Sequence, residues 1–339
     1  MKTTRFAKHT FTAIALALLC TVATVHAQEK TKISIAVIAT PVAPTVAGTI
    51  GELKKALESA GNAEVTLYGP GSPYSVPGKL SELVEQGAVD MAFGVQQFEA
   101  GRFPLNLLMA EPFMVDDHVK GSRSYMKALR NIPEITAEYR PNRVLNVALA
   151  SGEQIHARRH VGSIDELKGL RVMVTNPGMM AIVRAVGGNV VALPLPAQYE
   201  NLQKGVVDAA SSSWTSQLAF KTIEVTSYHL QLHSVATPIY LVMNQKKYES
   251  LPPELRKVID EFSTEEAAAR FSSVWTRVDE AAIAEAKKRN HETVVIEGTA
   301  RDALRNRFQP LTDARLLELD QKGLPARRIY DSLVKQASQ

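Results

Sequence analysis

The residue types that could carry out catalysis are present, but their spacing does not favour it. Five histidines are scattered without a third ligand at metal-binding spacing, namely His156, His160, His229, His233 and His291. The serine run 211–213 has no evident histidine or aspartate partner in the sequence, which a nucleophile would need. Phosphate-binding, dinucleotide, H-E-x-x-H and G-x-S-x-G motifs are all missing. We therefore expect no enzyme, no metal and no cofactor.

The charge distribution argues against nucleic acid as a partner. The chain carries 39 Lys+Arg and 35 Asp+Glu, and three of the basic residues precede residue 28, so the remainder has 36 − 35 = +1. A nearly neutral protein lacks the basic surface that phosphate binding requires. The local basic cluster "HARRH", residues 156–160, is expected to form a solvated loop face.

A short corner occurs twice in the sequence. "QGAVDMAFGVQQF" (86–98) and "KGVVDAASSSWTS" (204–216) share a Gly-x-Val-Asp core. In each, a helix is predicted to end at the glycine, the aspartate can bond the turn, and a strand follows. Ligands of open α/β sheets bind beyond the carboxyl ends of strands. We therefore expect residues 94–97 and 211–214 to face one cleft, with Asp90 and Asp208 as structural residues.

The strands and helices that must position these corners alternate along the chain. Hydrophobic alternation and helical spacing predict strands and helices in turn. The predicted strands cover 32–40, 63–69, 88–94, 143–152, 170–175 and 188–194, and the predicted helices cover 46–57, 80–87 and 179–186. Such alternation is typical of an α/β protein with a largely parallel sheet.

A long helix is predicted from residue 263. Ser263 and Glu266 have the spacing of a capping box, and apolar residues then recur at helical spacing over roughly two dozen residues. A helix of this length can bridge two lobes. A C-terminal helix packed within one domain is the alternative that the pattern leaves open.

The N-terminus predicts export. Basic residues precede an apolar run from Phe11 to Val25, and small residues lead to a cleavage site after Ala27. The lone cysteine, Cys20, lies within this predicted signal peptide, 1–27. The mature chain would then have no disulfide in an oxidising compartment and would depend on a hydrophobic core. We expect a periplasmic protein of two domains.

The order of five segments resembles the solute-binding proteins of TRAP transporters, the DctP-type family. The segments are 69–94, 110–117 ("AEPFMVDD"), 163–174 ("SIDELKGLRVMV"), 185–213 and 242–259 ("VMNQKKYESLPPELRKVI"). The resemblance implies a two-lobed periplasmic binding protein fold with hinge strands and a long helix spanning both lobes. Its expected division is 28–150 with about 238–275 for lobe I, and 151–237 with about 276–339 for lobe II. It also implies a small and a large integral membrane subunit as partners, and no ATPase.

The resemblance further implies an organic-acid ligand held by an arginine in a "G-L-K-I-R-V-P"-like stretch. Here the corresponding stretch reads "GLRVMVTNP". Aligned without gaps, Met173 stands at the position of that arginine and Arg171 at the position of the preceding lysine. Gln154 replaces a second basic residue of the family, and the family's asparagine after the second corner falls near Ser211 and Ser212. These changes favour a more apolar pocket.

We therefore hypothesise an aromatic or hydrophobic monocarboxylate as the ligand. Arg171, or the hydroxyls of Ser212 and Ser213, would hold the acid group, and Met173 and Trp214 would line the ring; in the alternative both are core residues. The full set of candidate ligand-binding residues is Gln96, Gln154, Arg171, Met173, Asn176, Ser212, Ser213 and Trp214. A ligand sensor for a membrane receptor and the binding protein of an ABC importer stay open as alternative functions.

Overall fold

The computed structural model describes residues 30–99 and 101–337. The predicted signal peptide, 1–27, lies outside these residues. Within them, no helix combines the length and the apolar character that crossing a bilayer requires.

Nine strands in the described ranges form one sheet. They are β1 (Thr31–Val37), β2 (Ala63–Tyr68), β3 (Met91–Val95), β4 (Arg143–Ala157), β5 (Arg171–Met173), β6 (Asn189–Val191), β7 (Ala209–Ser212), β8 (Tyr228–Met243) and β9 (Glu292–Val295).

Thirteen α-helices lie within the described residues. They are α1 (Pro44–Ala47), α2 (Ile50–Ala60), α3 (Leu80–Glu85), α4 (His118–Asn131), α5 (Pro133–Ala137), α6 (Pro177–Ala185), α7 (Gln198–Gln203), α8 (Trp214–Ala219), α9 (Gln245–Ser250), α10 (Pro253–Glu261), α11 (Glu265–Lys288), α12 (Gly298–Gln321) and α13 (Ala326–Ala337).

The strand order is β2-β1-β3-β8-β4-β7-β5-β6, with β9 beside β8. The group β2-β1-β3 is parallel, as is the group β7-β5-β6. We call these groups, with the helices that pack on them, the first and second lobes. Between the two groups, β4 and β8 run antiparallel to each other, β8 runs antiparallel to β3, and β4 runs antiparallel to β7, whereas β9 is parallel to β8. The sheet is therefore mixed, whereas the sequence predicted a largely parallel one.

The two long strands connect the lobes through an irregular middle. The first part of β4 pairs with β8 beside the first lobe, and its last part pairs with β7. Register shifts fall between Ala150 and Glu153 and between Glu153 and Ile155. Irregularities of this kind bend a strand and redirect its side chains. The bend places Glu153 where one lobe passes into the other.

Helix α11 contacts both lobes. Phe271 and Trp275 pack on Phe93 of β3, with ring centroids 6.1 and 5.9 Å apart. Further along, the Asp279 carboxylate accepts hydrogen bonds from the backbone N and the hydroxyl of Thr215, at 2.6 and 2.7 Å. The prediction of a long helix spanning both lobes is confirmed.

The start of α11 differs from the prediction by one residue. The N-cap is Thr264, whose hydroxyl accepts from Ala267 N at 3.1 Å. The Ser263 hydroxyl instead donates to Ile259 O at the end of α10. Ser263 therefore belongs to the preceding turn, and the predicted capping box with Glu266 was wrong.

The C-terminal helices cross between the lobes. Arg307 of α12 binds Asp165 of the second lobe, whereas Arg328 of α13 binds Glu134 of α5, beside the first lobe. The helix α13 also packs along α4. The lobe boundaries stay a prediction, but these contacts favour α13 with the first lobe rather than the second.

Candidate functional site

The two corners have the same backbone conformation. Gly87 and Gly205, one at the start of each corner, have φ of +72° and +69°. This left-handed region is open to glycine at little cost, because glycine has no Cβ. The shared Gly-x-Val-Asp sequence is thus explained by a shared turn.

The aspartate of each corner bonds the neighbouring parallel strand. Asp90 Oδ2 accepts from the backbone N of Ser34 in β1 at 2.8 Å. Asp208 Oδ2 accepts from the backbone N of Arg171 in β5 at 2.9 Å. The expectation that both aspartates are structural is confirmed, and the repeat reflects two lobes built alike.

Arg171 lies at the amino end of β5 and is already paired. Its guanidinium donates to both oxygens of Asp208, at 3.1 and 2.9 Å, and to Gly205 O at 2.8 Å. The hydrogen bond from Arg171 lowers the pKa of the Asp208 carboxyl to about 2. The structure therefore places this arginine at the exposed corner and away from the carboxyl end of its strand.

Met173 and Trp214 lie in packed interiors. Met173 is fully buried against Leu202, Val207 and Ala210. Trp214 is 1% exposed and packs against Ala282 of α11. The structure thus corresponds to the alternative in which both residues are core.

Ser212, Ser213 and Gln154 support the local structure. The Ser212 hydroxyl accepts from Gln217 Nε2 at 3.2 Å, and Ser213 is the N-cap of α8, accepting from Ser216 N at 3.2 Å. Gln154 Oε1 accepts from the backbone N atoms of Leu232 and His233, at 2.6 and 3.2 Å, where β8 is irregular. These three side chains hold the second lobe and the hinge strands in shape.

Gln96 keeps one unpartnered acceptor. Its Nε2 donates to the hydroxyls of Tyr125 and Tyr139, at 2.7 and 2.6 Å. Both hydroxyls donate onward to Asn106 Oδ1, at 2.6 and 3.3 Å, which fixes the orientation of the Gln96 amide. Gln96 Oε1 is buried and has no hydrogen-bond partner among the described residues.

The next residue, Gln97, joins the two lobes. Asn176 caps α6 through its Oδ1, and its Nδ2 donates to Gln97 Oε1 at 3.2 Å. Gln97 follows β3 of the first lobe, and Asn176 follows β5 of the second. The carboxyl ends of strands from both lobes therefore meet here, and we call the gap between them the cleft. Gln97 lies within the range 94–97 that the sequence predicted to face the cleft, although it was not in the set of candidate ligand-binding residues.

Glu153 is the acidic residue of the cleft. Its side chain is 4% exposed, and its Oε2 accepts from the Ser211 hydroxyl at 2.5 Å. The Gln97 side chain lies beside the same carboxyl and favours its ionised form. Burial raises the pKa of Glu153 to about 7, since an ionised carboxylate loses hydration there. The sequence led to its neighbour Gln154, because Gln154 stands in place of a basic residue of the family that the chain resembles. No alternation pattern shows which residue an irregular strand turns toward the cleft.

Two further polar groups follow the strand ends of the second lobe. Thr175 Oγ1 and Gln198 Oε1 are buried and have no hydrogen-bond partner within 30–99 and 101–337. Gln198 Nε2 donates to Ser211 O at 3.4 Å, which orients the amide. Buried polar groups are normally satisfied, so each of these atoms is a candidate contact for a ligand. Thr175 could have been found from its place after β5, whereas Gln198 has no such signal.

Three histidines form a hydrogen-bonded series that begins at Ser212, the last residue of β7. His156 Nε2 faces Ser212 O at 3.1 Å, His156 Nδ1 faces His229 Nδ1 at 2.8 Å, and His229 Nε2 faces His291 Nδ1 at 3.0 Å. A carbonyl can only accept, so the proton of neutral His156 is on Nε2, and His229 and His291 each carry theirs on Nδ1. Burial lowers the pKa of all three rings. The solvated face predicted for 156–160 is wrong for His156, which is fully buried.

The cleft offers hydrogen bonding without a cation. None of the hydrogen bonds described above for Gln96, Gln97, Glu153, Asn176 or Ser211 involves lysine or arginine. Among the described residues, no group of three or more His, Cys, Asp or Glu side chains is placed to hold a metal ion. The arrangement is suited to binding a small polar molecule between the lobes.

Comparison with known families identifies the chain. Residues 37–318 match bacterial extracellular solute-binding protein, family 7, the DctP family. The chain belongs to this family. The family predicted from the five ordered segments is confirmed, and it is a family of binding proteins.

Relatives and solved structures agree with this assignment. The chain is 24% identical over 216 residues to the 2,3-diketo-L-gulonate-binding periplasmic protein YiaO of Escherichia coli K12, covering 62% of each chain. A TRAP solute-binding protein of Rhodoferax ferrireducens in complex with copurified benzoate has a TM-score of 0.84 and 21% identity, covering 91% of this chain and 98% of its own. A marine-metagenome TRAP solute-binding protein specific for aromatic acid ligands, in complex with metahydroxyphenylacetate, also has a TM-score of 0.84. It is 22% identical to this chain, and the match covers 91% of this chain and 99% of its own. The two-lobed fold of the DctP family is thereby confirmed.

Proposed function

We propose that this DctP-family protein captures a small carboxylic acid in the cleft and delivers it to the small and large membrane subunits of a TRAP-type transporter. The observation that carries the proposal is the hydrogen bond between Gln97 and Asn176, which joins the lobes at the carboxyl ends of their strands. Binding proteins of this fold hold a ligand where such ends meet.

The proposed ligand class comes from the similar proteins. Benzoate and metahydroxyphenylacetate occupy the two structures, and YiaO is named for a sugar-derived acid. All three are carboxylates. Aromatic monocarboxylates are the first class to test, although Met173 and Trp214, once expected to line the ring, are core residues here.

The proposed location is the periplasm, with residues 1–27 as a cleavable signal peptide. The basic start and apolar run of that segment support export, and extracellular binding is the description of the family. N-terminal sequencing of the exported protein is expected to begin at Gln28.

A thermal-shift panel tests the binding function. It would contain aromatic monocarboxylates, sugar acids and C4-dicarboxylates, with neutral sugars as the control class. A ligand at about 100 times its Kd adds about 2.7 kcal/mol to the free energy of unfolding, which for a chain of this size raises Tm by about 5 °C. An increase with at least one acid class and none with neutral sugars is expected. A panel in which no acid raises Tm would contradict the proposal.

A further inference from the structure

We propose that Glu153 couples ligand capture to a proton, so that the closed cleft takes up a ligand carboxylate together with one proton carried on this residue. The inference rests on the proposed function, because it specifies how the same cleft accepts an acid. It makes Glu153 the residue that determines the charge state of the ligand complex.

The geometry places Glu153 at the closure of the cleft. The residue sits between two of the three register shifts of β4, where the strand turns from one lobe to the other. Its carboxyl accepts a hydrogen bond from the Ser211 hydroxyl of the second lobe, and Gln97 of the first lobe lies beside it. A ligand that contacts both lobes at this point meets the Glu153 carboxyl.

The charged groups around Glu153 do not neutralise it. On α4, the His118 ring lies against Gly152, and burial lowers the His118 pKa to about 4. On β8, burial also lowers the pKa of His233, so both imidazoles are neutral near neutral pH. On α11, Asp279 is a second acid and supplies no positive charge.

The buried guanidinium of Arg301 is engaged elsewhere. Arg301 of α12 binds the Asp116 carboxylate and donates to Val115 O and His233 O, at 3.0 and 2.9 Å. Within the described residues, no cationic side chain bonds Glu153 or its two partners. An ionised Glu153 beside a ligand carboxylate would therefore be an uncompensated pair of like charges in a buried site.

A shared proton removes this conflict. Two carboxyl groups in one buried site do not both ionise, and one of them keeps a proton. The burial of Glu153 already raises its pKa to about 7, which favours the protonated form. In the complex, Glu153 would donate its O–H to a ligand carboxylate oxygen while its other oxygen still accepts from Ser211. The overall step is binding of one ligand anion and one proton from solvent.

The first test is the pH dependence of benzoate binding, measured by titration calorimetry on the full mature chain. Affinity is expected to be constant below about pH 6 and to fall roughly tenfold per pH unit above about pH 7.5, where a proton must be taken up. Titrations in two buffers of different ionisation enthalpy should show uptake of about one proton at about pH 8.5. A pH-independent affinity, or no proton uptake, would overturn the inference.

Two matched variants locate the proton. In Glu153→Gln, the affinity for benzoate should no longer vary with pH. Glu111 is a control, because burial also raises its pKa to about 7 but its carboxyl lies by Thr312 and Arg315 of α12. Glu111→Gln should keep the pH dependence of the unmodified protein. The same pH dependence in Glu153→Gln as in the unmodified protein would contradict the role of Glu153.

A further measurement separates this inference from the proposed function. Benzylamine is the cationic counterpart of benzoate. An affinity for benzylamine that increases as pH rises would show that the ionised Glu153 carboxylate selects cations. Without any ligand, the unmodified protein should lose unfolding free energy relative to Glu153→Gln as pH rises from about 4.5 to about 7, because the folded pKa is the higher one. If no acid binds, the proposed function fails, while this ligand-free comparison still decides whether the closed cleft keeps Glu153 protonated.

Discussion

At the scale of single residues, the interior is arranged around neutral forms of titratable groups. His156 and His229 are bonded to each other and packed on Trp214, with ring centroids 4.9 and 4.6 Å from the indole. Burial disfavours the imidazolium and lowers both pKa values. A protonated ring would also lose its acceptor and break the hydrogen-bonded chain. These histidines therefore stabilise the fold only while they are neutral.

The replacement His156→Gln tests this dependence. The folded pKa of His156 lies below the unfolded value, so its contribution to stability is complete above about pH 6.5 and decreases by about 1.4 kcal/mol per pH unit below that. We expect the variant to be less stable than the unmodified protein by about 2–4 kcal/mol at about pH 7.5, through lost packing and hydrogen bonds. This deficit should be smaller by about 1.4 kcal/mol at about pH 5.5.

Urea denaturation at the two pH values measures the deficit. His160→Gln is the control, because this ring is exposed and borders Glu166 and Glu292. Its effect should be much smaller than that of His156→Gln at both pH values. An equal deficit for His156→Gln at both pH values would show that His156 is not kept neutral.

At the scale of elements, α11 is the part of the structure that links the lobes. Its first half packs through Phe271 on β3, and its second half holds the start of α8 through Asp279. Burial raises the pKa of Asp279 to about 6 despite these hydrogen bonds. The start of this helix depends on one hydroxyl, that of Thr264.

The replacement Thr264→Ala should lower the free energy of unfolding by about 1 kcal/mol, because Ala267 N loses its acceptor at the exposed helix start. Thr264→Ser is the matched control, since it keeps a capping hydroxyl and should cost only a few tenths of a kcal/mol. Chemical denaturation of the three proteins measures both effects. Equal stabilities of Thr264→Ala and Thr264→Ser would show that the hydroxyl does not cap α11.

At the scale of the whole molecule, the lobes are in contact across the cleft. Besides the Gln97–Asn176 bond, Gly178 at the start of α6 lies so close to Ala110 that a Cβ would be 2.9 Å from its carbonyl oxygen. The lobes are thus held together by these direct contacts, by the hinge strands, by α11 and by the C-terminal helices. A ligand that adds contacts there would favour closure.

The replacement Gln97→Ala should weaken the closed state. It removes the bond to Asn176, and one hydrogen bond at about 0.5–1.5 kcal/mol corresponds to a loss of about fivefold in ligand affinity. Gln245→Ala is the control, since that exposed amide bonds only Glu249 in its own helix. Titration calorimetry measures affinity, and small-angle X-ray scattering should show a larger radius of gyration for Gln97→Ala. An unchanged affinity and radius would contradict a role for Gln97 in closure.

Much of the fold could be predicted because local patterns agree with it. The repeated Gly-x-Val-Asp corners, the length of α11 and the alternation of strands and helices all depend on neighbouring residues in the chain. The site was predicted less well. Arg171 and Asp208 are 37 residues apart and form an ion pair that no sequence spacing indicates. Trp214 is an aromatic residue after a strand, and only its neighbours show that it is packed.

The sequence by itself determined the family, the two-lobed architecture and the equivalence of Asp90 and Asp208, because these depend on the order of segments and on turn chemistry. Only the tertiary structure decided which polar residues meet between the lobes. Glu153 faces Gln97 and Ser211 because β4 is irregular at that point, and its unusual pKa follows from burial without a cation. Burial and charge compensation are properties of distant segments brought together, so they could not be predicted from the residues of one strand.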